Sequence, residues 1–586
     1  MTLLISPSNR IAVPAVSYRP TVIGRKYAVA CGHYLAAQAA IRVLDGGGNV
    51  VDAGVTAAIA LAVLQPDIVG FGGVAPTLVR MRRDRQTWSV PGLGWWPALT
   101  DVERLREVGN GTVPEGILRS VMPAAPAAHI ETLRRFGTIT FEEAVTPALE
   151  IATHGFAVFP VLANSFAKNE AGYRRWSDNA RIFLPEGRAP RVGEIFVQAD
   201  LARTFGRMIE AERTAAGNRD AKLVAVHNYF YRGPIAREID AYHRANGGFI
   251  RDEDLARFTT PIEPAIGASY RGYSVQSCDV WCQGISLLES MRIAAGFDLQ
   301  ALGHNSPDYV HCMTEAINLA FADREAYVGD PKFVTVPTDV LLSDAYVAMQ
   351  RARIDPAKAF GAMPDPGSID GRPKPLAGRI PQFASSAATP MAPDTIYCCV
   401  MDREGNTYSA TLSDNSYDSP VIPGTGMTIS SRGCQSRLEP GHPSEVKPGK
   451  RPRLTPSPAL ALRDGVPFMG FGTPGGDVQT QAMMQAFFNV VEFNMSLQQA
   501  VEAPRFSSSN FLNSFAPHQY LPGRLNIEST MPVGVIEAMR ARGHDVEVWP
   551  AFPAAGGAVC AVMQDPQTGW LHAGADPRRE AYAMAW

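Results

Sequence analysis

Apolar and polar residues alternate along the chain in patterns that predict a mixture of helices and strands. Tyr34–Asp45 is Ala-rich and stops at three glycines, and Val50–Leu64 is apolar nearly all round, which predicts two helices, the second buried. Residues 126–155 and 309–327 repeat apolar residues at helical spacing and predict further helices. Short apolar runs predict strands elsewhere; they lie at residues 77–81, 88–90, 273–278, 459–463 and 466–470.

The middle of the chain changes character abruptly at residue 395. Residues 360–394 are rich in Pro, Gly, Ser and Ala, and their seven prolines exclude a helix or a central strand. Residues 395–401 then form a continuous apolar run, typical of a strand buried on both faces, and residues 407–412 return as its hairpin partner. A structureless segment of this length inside a compact domain is usually functional or disordered.

Thr395 is the first residue of this predicted strand, and this position suggests a chemical role for its side chain. If the Asp394–Thr395 bond were cut, Thr395 would carry a nucleophilic hydroxyl beside a free α-amine. An α-amine has a pKa of about 7.7–8.0, which suits a general base at neutral pH. The alternative is a long linker followed by an ordinary core strand, and this stretch taken alone favours that alternative.

Composition restricts the function classes. The chain has 586 residues, 46% hydrophobic and 19% charged, with a net charge of -3, so no basic field for nucleic acid or anionic lipid is present. Residues 1–22 lack the apolar core of a secretory signal, which makes the cytoplasm the expected location. The eight cysteines form no C-x-x-C pair, so neither a disulfide framework nor a structural zinc site is predicted.

His311 and Glu315 lie four residues apart on the predicted helix 309–327, a spacing that suits two metal ligands. No third ligand stands near them in the sequence. A solvated pair, or a pair at the edge of the core, is therefore the preferred interpretation, and no metal or other cofactor is predicted.

The glycines of residues 470–475 have two possible uses. GFGTPG fits the dinucleotide fingerprint G-x-G-x-x-G between a strand and a helix, but no clear parallel strand follows. The same glycines can instead aim backbone N–H groups at a developing oxyanion. The motifs G-x-S-x-G, H-E-x-x-H and the P-loop are missing from the sequence, which removes the commonest serine-hydrolase, metalloprotease and NTPase explanations.

Taken together, segments from about residue 26 to 586 resemble the γ-glutamyltransferase family of N-terminal-nucleophile (Ntn) hydrolases. The segments that carry the resemblance are GGGNVVDAGVTAAIALAVLQP (46–66), GFGG (70–73), AINLAFADREAYVGDP (316–331), DTIYCCVMDREGN (394–406), PGKRPRLTPSPALAL (448–462), GTPGGD (472–477), EAPRF (502–506) and GADPRR (574–579). The resemblance implies an α+β fold, a four-layer αββα sandwich. It also implies a precursor that cleaves itself between Asp394 and Thr395.

The implied division of the chain has three parts. Residues 1–25 form an N-terminal segment, residues 26–394 the large subunit with a flexible tail at 359–394, and residues 395–586 the small subunit. The two subunits stay together as one molecule. Higher oligomers are left open.

The resemblance also assigns roles to single residues. Thr395 matches the nucleophile, with its own amine as the base, and Gly475 and Gly476 match the pair whose N–H groups form the oxyanion hole. Ser413 falls where the family has a second hydroxyl near the nucleophile, and Asn415 matches a substrate-contacting Asn. Thr455 lies in the segment of the family's paired serines, where Leu454 replaces one of them.

Two departures affect the expected substrate. Leu93 stands where the family has the Arg that binds the glutamyl carboxylate, and Gln435 replaces the Asp that binds the α-amino group. Loss of a bidentate Arg–carboxylate contact is a large change. Arg432 is either an alternative contact for a carboxylate or part of a structural ion pair. Trp95 and Trp96 suggest an apolar or aromatic acyl group, and a loop that plugs the core is an equal alternative for these two residues.

The sequence therefore predicts a self-processing amidohydrolase that cleaves a small-molecule amide through a Thr395 acyl-enzyme and is not specific for glutamyl groups. Hydrolysis and transfer to another acceptor are both open. One alternative is a true γ-glutamyltransferase or glutathione hydrolase; another is an unprocessed relative without activity. No nucleic-acid or membrane partner is expected.

Overall fold

A computed structural model describes residues 17–369 and 395–586. Two predicted segments lie partly outside the described residues. They are the N-terminal segment, at residues 1–16, and the tail, at residues 370–394, which include Asp394.

The described residues form twenty-one strands and twenty α-helices. The strands are β1 Val22–Gly24, β2 Tyr27–Cys31, β3 Thr77–Arg80, β4 Thr87–Val90, β5 Phe156–Ala157, β6 Ile195–Phe196, β7 Glu263–Pro264, β8 Ile266–Tyr270, β9 Tyr273–Ser277, β10 Thr395–Asp402, β11 Thr407–Ser413, β12 Val421–Ile422, β13 Met427–Thr428, β14 Ala459–Arg463, β15 Val466–Gly472, β16 Phe506–Ser508, β17 Arg524–Glu528, β18 Asp545–Trp549, β19 Cys560–Gln564, β20 Leu571–Ala575 and β21 Tyr582–Ala585. The helices are α1 Tyr34–Asp45, α2 Val50–Leu64, α3 Val102–Val108, α4 Ala125–Phe136, α5 Phe141–His154, α6 Pro160–Lys168, α7 Glu170–Tyr173, α8 Ser177–Phe183, α9 Ala199–Thr214, α10 Arg219–Tyr231, α11 Pro234–Ala245, α12 Asp252–Arg257, α13 Gly284–Ala294, α14 Leu299–Leu302, α15 Pro307–Tyr327, α16 Thr338–Leu341, α17 Asp344–Arg351, α18 Gln479–Val491, α19 Leu497–Glu502 and α20 Val533–Ala541.

Two seven-stranded antiparallel sheets form the centre of the molecule. One has the strand order β21-β2-β10-β11-β3-β4-β7, and the other has the order β1-β20-β19-β15-β14-β9-β8. The sheets face each other through a shared apolar layer, in which Tyr397, Cys399 and Met401 of β10 meet Cys560 and Val562 of β19.

Helices cover the outer face of each sheet and complete four layers. Helix α2 lies on the first sheet so closely that a Cβ on Gly54 would be 2.2 Å from the Tyr408 ring. Its apolar face joins α1, α4, α5 and α9 in one large cluster. Helices α13, α15, α18 and α20 share a second cluster with the other sheet. The αββα sandwich predicted from the resemblance is thus confirmed.

Strand β10 shows why the predicted hairpin at residue 395 lies in the core. It pairs with β2 on one side and β11 on the other, and every residue from Thr395 to Met401 is buried. Ile396, Cys398 and Val400 face the helices, whereas Tyr397, Cys399 and Met401 face the second sheet. An alternation of period two gives each face its own apolar layer, so the prediction of a strand buried on both faces is confirmed.

Two predictions needed correction. The helical pattern of residues 126–155 is two helices, because α4 ends at Gly137 and Thr140 starts α5 with a capping box to Glu143. The dinucleotide fingerprint is wrong, because β15 lies between antiparallel neighbours, β14 and β19, and a dinucleotide fold requires parallel strands. In the part of the chain that is described, no helix is both long and apolar enough to cross a membrane.

Candidate active site

A chain of hydrogen bonds begins at the first residue of β10. Thr395 is the cross-strand partner of Ser413, the last residue of β11, and the two hydroxyl oxygens are 2.8 Å apart. Arg432 Nη2 donates to the Ser413 hydroxyl at 2.6 Å. All three side chains are fully buried. The hairpin register therefore joins the predicted nucleophile to the second hydroxyl and to a cation.

Two further contacts of the Arg432 guanidinium lie within the described residues. Its Nε is 3.8 Å from Asp414 Oδ1, and its carbon lies 5.4 Å from the centre of the Phe515 ring. Burial raises the pKa of Asp414 above its usual range, although the nearby Arg432 charge acts in the opposite direction. Arg432 is thus part of a buried polar cluster around Ser413, which fits both of its predicted roles.

Asp414 is a residue of this cluster that the sequence interpretation missed. Its φ of 147° lies in the region that favours glycine, and its Oδ1 accepts from the Ser431 amide at 2.8 Å. The GFGG loop leaves room for it, because a Cβ on Gly73 would approach Ser413 O to 2.5 Å and Asp414 to 2.9 Å. The glycines of this loop were the available signal, since glycine permits close approach of a neighbouring backbone.

Gly475 and Gly476 lie in the turn between β15 and α18. Their φ angles are +127° and +56°, and Gly476 opens the 3₁₀ turn Gly476–Val478 that leads into the helix. Within residues 17–369 and 395–586, neither amide donates a hydrogen bond to an acceptor outside its own turn. Two N–H groups at the start of a helix are thus available for an anionic oxygen.

Three contacts bring this glycine turn towards Thr395. A Cβ on Gly472, the last residue of β15, would be 2.3 Å from the Tyr397 ring, two residues along β10 from Thr395. Arg579 Nη1 donates to Thr395 O at 3.2 Å, and its Nη2 donates to Ala554 O at 3.0 Å. The Ala554–Gly556 turn leads to Gly557, whose Cα is 3.6 Å from a Cβ built on Gly475.

Gln435 and Thr455 form a separate polar pair. Gln435 Nε2 donates to Thr455 Oγ1 at 2.7 Å, and its Oε1 accepts from the Thr455 amide at 3.1 Å. Gln283 then joins this pair to the glycine turn, because its Nε2 donates to Thr455 O at 2.9 Å and to Gly476 O at 2.8 Å. Gln283 was not predicted as a site residue, and the turn before α13 gave no signal for it.

Asn415 follows Asp414 and is also buried. Its Nδ2 lies 3.3 Å from Asp418 Oδ2, and Asp418 forms a 2.9 Å ion pair with Arg119. Asn415 is thus close in sequence to Ser413, and its side-chain amide contacts the Asp418–Arg119 ion pair.

Leu93 and Trp95 line a pocket that is separate from the Thr395 and Ser413 hydroxyls. Leu93 is buried in an apolar cluster with Leu454, and the Trp95 ring packs 4.7 Å from the Phe258 ring. Both line a small pocket whose lining residues do not include Thr395, Ser413, Gly475 or Gly476. Trp96 is fully buried, and its indole N–H donates to Ser436 Oγ at 3.0 Å, which makes it core packing beneath the Arg432–Gln435 turn.

Of the two alternatives for His311 and Glu315, a solvated pair and a pair at the edge of the core, the solvated pair is wrong. Both side chains are buried rather than solvated, with 0% and 1% of their surface exposed. A third ligand is also present, because His544, from the turn between α20 and β18, lies beside them. It was missed because it is 233 residues away from His311 in the chain.

The geometry suits covalent acyl transfer. It combines a hydroxyl at the start of a buried strand, a second hydroxyl held by a cation, and two amides at a helix start. Such an arrangement inside an αββα sandwich defines an N-terminal-nucleophile hydrolase.

Comparison with known proteins narrows this class to a family. The family model described as gamma-glutamyltranspeptidase matches residues 36–586, and the chain belongs to this family. It is 30% identical over 552 residues to the acylase ACY 1 proenzyme of Pseudomonas sp. (strain SE83), covering 92% of this chain and 90% of that one. It is 29% identical over 569 residues to the glutathione hydrolase-like YwrD proenzyme of Bacillus subtilis (strain 168), covering 96% and 99%.

A solved structure is similar over the full length. The cephalosporin acylase from Bacillus halodurans superimposes with a TM-score of 0.84 at 29% identity, covering 100% of this chain and 99% of that one. The chain is accordingly an enzyme, a self-processing amidohydrolase or acyltransferase with a threonine nucleophile.

Proposed function

We propose that Thr395 is the nucleophile, that it is released by cleavage of the Asp394–Thr395 bond, and that the mature enzyme hydrolyses amides of acyl groups other than γ-glutamyl. The observation that carries this proposal is the 2.8 Å contact between the Thr395 and Ser413 hydroxyls, with Arg432 bonded to Ser413. Cleavage would divide the precursor into two pieces, residues 1–394, which include the segment 1–25, and residues 395–586.

The first step of the reaction is attack by Thr395 Oγ1 on the acyl carbon of the substrate. The α-amine of Thr395 takes the hydroxyl proton, because its pKa of about 7.7–8.0 leaves part of it unprotonated at neutral pH. The negative charge that develops on the carbonyl oxygen is received by the Gly475 and Gly476 amides. Collapse of this intermediate breaks the amide bond, and the proton held by the amine goes to the leaving nitrogen.

The second step returns the enzyme to its starting state. Water gives a proton to the α-amine and attacks the threonine ester, and the same two amides receive the oxyanion again. The acid is released and the proton returns to Thr395 Oγ1. Another amine in place of water would give transfer, and water is the acceptor in the proposed reaction.

The acyl preference is inferred from the residues at the two head-group positions. Leu93 is 2% exposed within an apolar cluster and brings no charge to a carboxylate. Gln435 is uncharged, and its amide is already bonded twice to Thr455. A free amino acid head group would therefore meet neither of the two charges that normally balance it. The names of two relatives, an acylase and a cephalosporin acylase, support the same direction.

Thr395→Ala tests the nucleophile. It should give one uncut chain without amidase activity, as seen by a denaturing gel, N-terminal sequencing and turnover of acyl anilides. Thr407→Ala is a matched control, because Thr407 is a buried threonine at the other end of the same hairpin. This control should still be cut before Thr395 and should remain active. A cleaved or active Thr395→Ala enzyme would contradict the proposal.

The acyl preference is tested separately on the mature enzyme. The value of kcat/KM for a neutral apolar acyl anilide should exceed that for the γ-glutamyl anilide by at least about tenfold, the cost of one missing charged contact. Equal rates would instead favour a γ-glutamyl enzyme in which Arg432 holds the carboxylate.

A further inference from the structure

A second cluster of reactive side chains lies away from Thr395, between α15 and the end of α20. His311 Nδ1 is 2.9 Å from His544 Nε2, and His544 Nε2 is 3.8 Å from Glu315 Oε1. One ligand atom from each of the three residues fits within 4.8 Å. Donor atoms around a tetrahedral zinc ion stand about 3.3 Å apart when the bonds are about 2.0–2.1 Å. The cluster is therefore already close to a coordination shell.

The surrounding hydrogen bonds orient these atoms. His311 Nε2 lies 2.8 Å from Asp355 O, an acceptor, so Nε2 carries the proton and Nδ1 accepts a hydrogen bond from His544 Nε2 at 2.9 Å. A metal ion bound by both nitrogens would take the place of the hydrogen between them. Glu315 Oε2 accepts from Asn318 Nδ2 at 2.9 Å, and its Oε1 accepts from the Phe360 amide at 3.2 Å. Metal-binding histidines and carboxylates usually have such supporting partners.

Charge gives a second reason for a ligand. Glu315 is buried, and among the described residues it contacts no Lys or Arg side chain. A buried carboxyl without a cationic side chain beside it, together with two imidazoles, forms a donor set to which a dication would supply positive charge.

We propose that His311, Glu315 and His544 bind one divalent transition-metal ion of the zinc type. Imidazole nitrogens select such ions over Ca²⁺ and Mg²⁺, which prefer oxygen ligands. Three protein ligands leave a fourth position for water. Within the described residues, the partners of its ligands (Asp355, Asn318 and Phe360) are not contacts of Thr395, Ser413 or Arg432, so the ion would have a structural role.

The position of the ligands suggests what the ion does. His311 and Glu315 precede the proposed cleavage point and His544 follows it, so the ion would join the two pieces of the mature enzyme. The same ion would fasten residues 355–360, which lead towards the cleavage point, because Asp355 and Phe360 contact two of its ligands. This structural role rests on the proposed cleavage, whereas metal binding itself does not.

The test uses the full-length protein, stripped with a chelator, loaded with Zn²⁺ and desalted. Metal analysis should find about one Zn²⁺ per chain, and Co²⁺ loading should give the visible absorption of a low-coordinate His/carboxylate site. His544→Gln and Glu315→Gln should each weaken binding by at least about 100-fold. His243→Asn is the matched control, because His243 is a fully buried histidine outside the cluster, and it should bind as the native protein does.

Several outcomes decide the matter. The proposal would be overturned if the native protein bound less than about a tenth of an equivalent of Zn²⁺. It would also be overturned if His544→Gln bound Zn²⁺ fully while circular dichroism showed that this variant is folded. The uncut Thr395→Ala protein should bind Zn²⁺ equally well, which separates this test from that of the proposed function. In the cleaved enzyme, Zn²⁺ should raise the denaturant concentration at which the two pieces separate, and no shift would overturn the joining role.

Discussion

At the scale of single residues, the direction of the Ser413 hydrogen bonds decides what this hydroxyl does. Arginine is a donor only and stays protonated, so Ser413 Oγ must accept from Arg432 Nη2. The contact between Ser413 Oγ and Thr395 Oγ1, at 2.8 Å, fits a hydrogen bond in either direction, and we infer that Ser413 is the donor. Thr395 accepts this bond and can give its own proton to the base. Ser413 thus stabilises the oxygen that gains negative charge during attack.

Ser413→Ala should therefore lower kcat/KM for an acyl anilide by about 100-fold, which is typical when one hydrogen-bond donor to developing negative charge is lost. Ser413→Thr keeps a hydroxyl and should recover part of the loss. Steady-state kinetics with a single-turnover measurement of acyl-enzyme formation would check both values.

Ser409→Ala provides the comparison for this variant. Ser409 is another buried serine of β11, and its Oγ is 2.6 Å from Tyr397 Oη. Its loss should reduce stability but leave kcat/KM close to the native value. Equal kinetics for Ser413→Ala and Ser409→Ala would show that Ser413 has no role in the chemistry.

At the scale of elements, the β15–α18 connection combines two uses of glycine. Gly472 has no room for a Cβ because the Tyr397 ring occupies that space. Gly475 has space, since its nearest neighbour would be 3.4 Å away, but its φ of +127° is one that other residues rarely adopt. Close packing of the two sheets and the aim of the amides thus depend on different glycines of one short segment.

Gly475→Ala should lower kcat by about 100- to 1000-fold, because the backbone must rotate away from this φ and the Gly475 and Gly476 amides move with it. KM should change much less, since the loss concerns charge in the transition state. Gly465→Ala is the matched control: Gly465 has a φ of +78°, lies in the turn between β14 and β15, and has nothing within 4 Å of a built Cβ. A similar loss of kcat in both variants would assign the effect to backbone strain instead.

The elements also show what sequence patterns can and cannot predict. The ends of α1 and α2 agree with prediction to the residue, because an Asn49 cap and the glycines after Asp45 act locally. The hairpin that begins at Thr395 was predicted because its two apolar runs are joined by a short turn. Ser413 was placed near Thr395 by the family resemblance and not by the hairpin register. His544 and Gln283 were not predicted, because contacts between distant segments depend on how helices pack and leave no local pattern.

At the scale of the whole molecule, the two halves of the precursor are interleaved. In the first sheet, β21, β10 and β11 come from residues after the proposed cleavage point, whereas β2, β3, β4 and β7 come from residues before it. In the second sheet, β1, β8 and β9 come from the front and the other four strands from the rear. Neither half has a complete sheet or a complete apolar layer of its own.

Unfolding of the cleaved enzyme should therefore be coupled to separation of its two pieces. Each tenfold dilution should lower the apparent free energy of unfolding by about 1.4 kcal/mol, because association is then part of folding. The uncut Thr395→Ala protein keeps the same contacts in one chain, so its unfolding midpoint should not depend on protein concentration. Urea titrations over a hundredfold range of concentration, followed by circular dichroism and size-exclusion chromatography, would measure both. The opposite result would be an unfolding midpoint of the cleaved enzyme that does not change on dilution, with pieces that remain folded after they separate. That result would show that each half can form a core alone, contrary to the strand order.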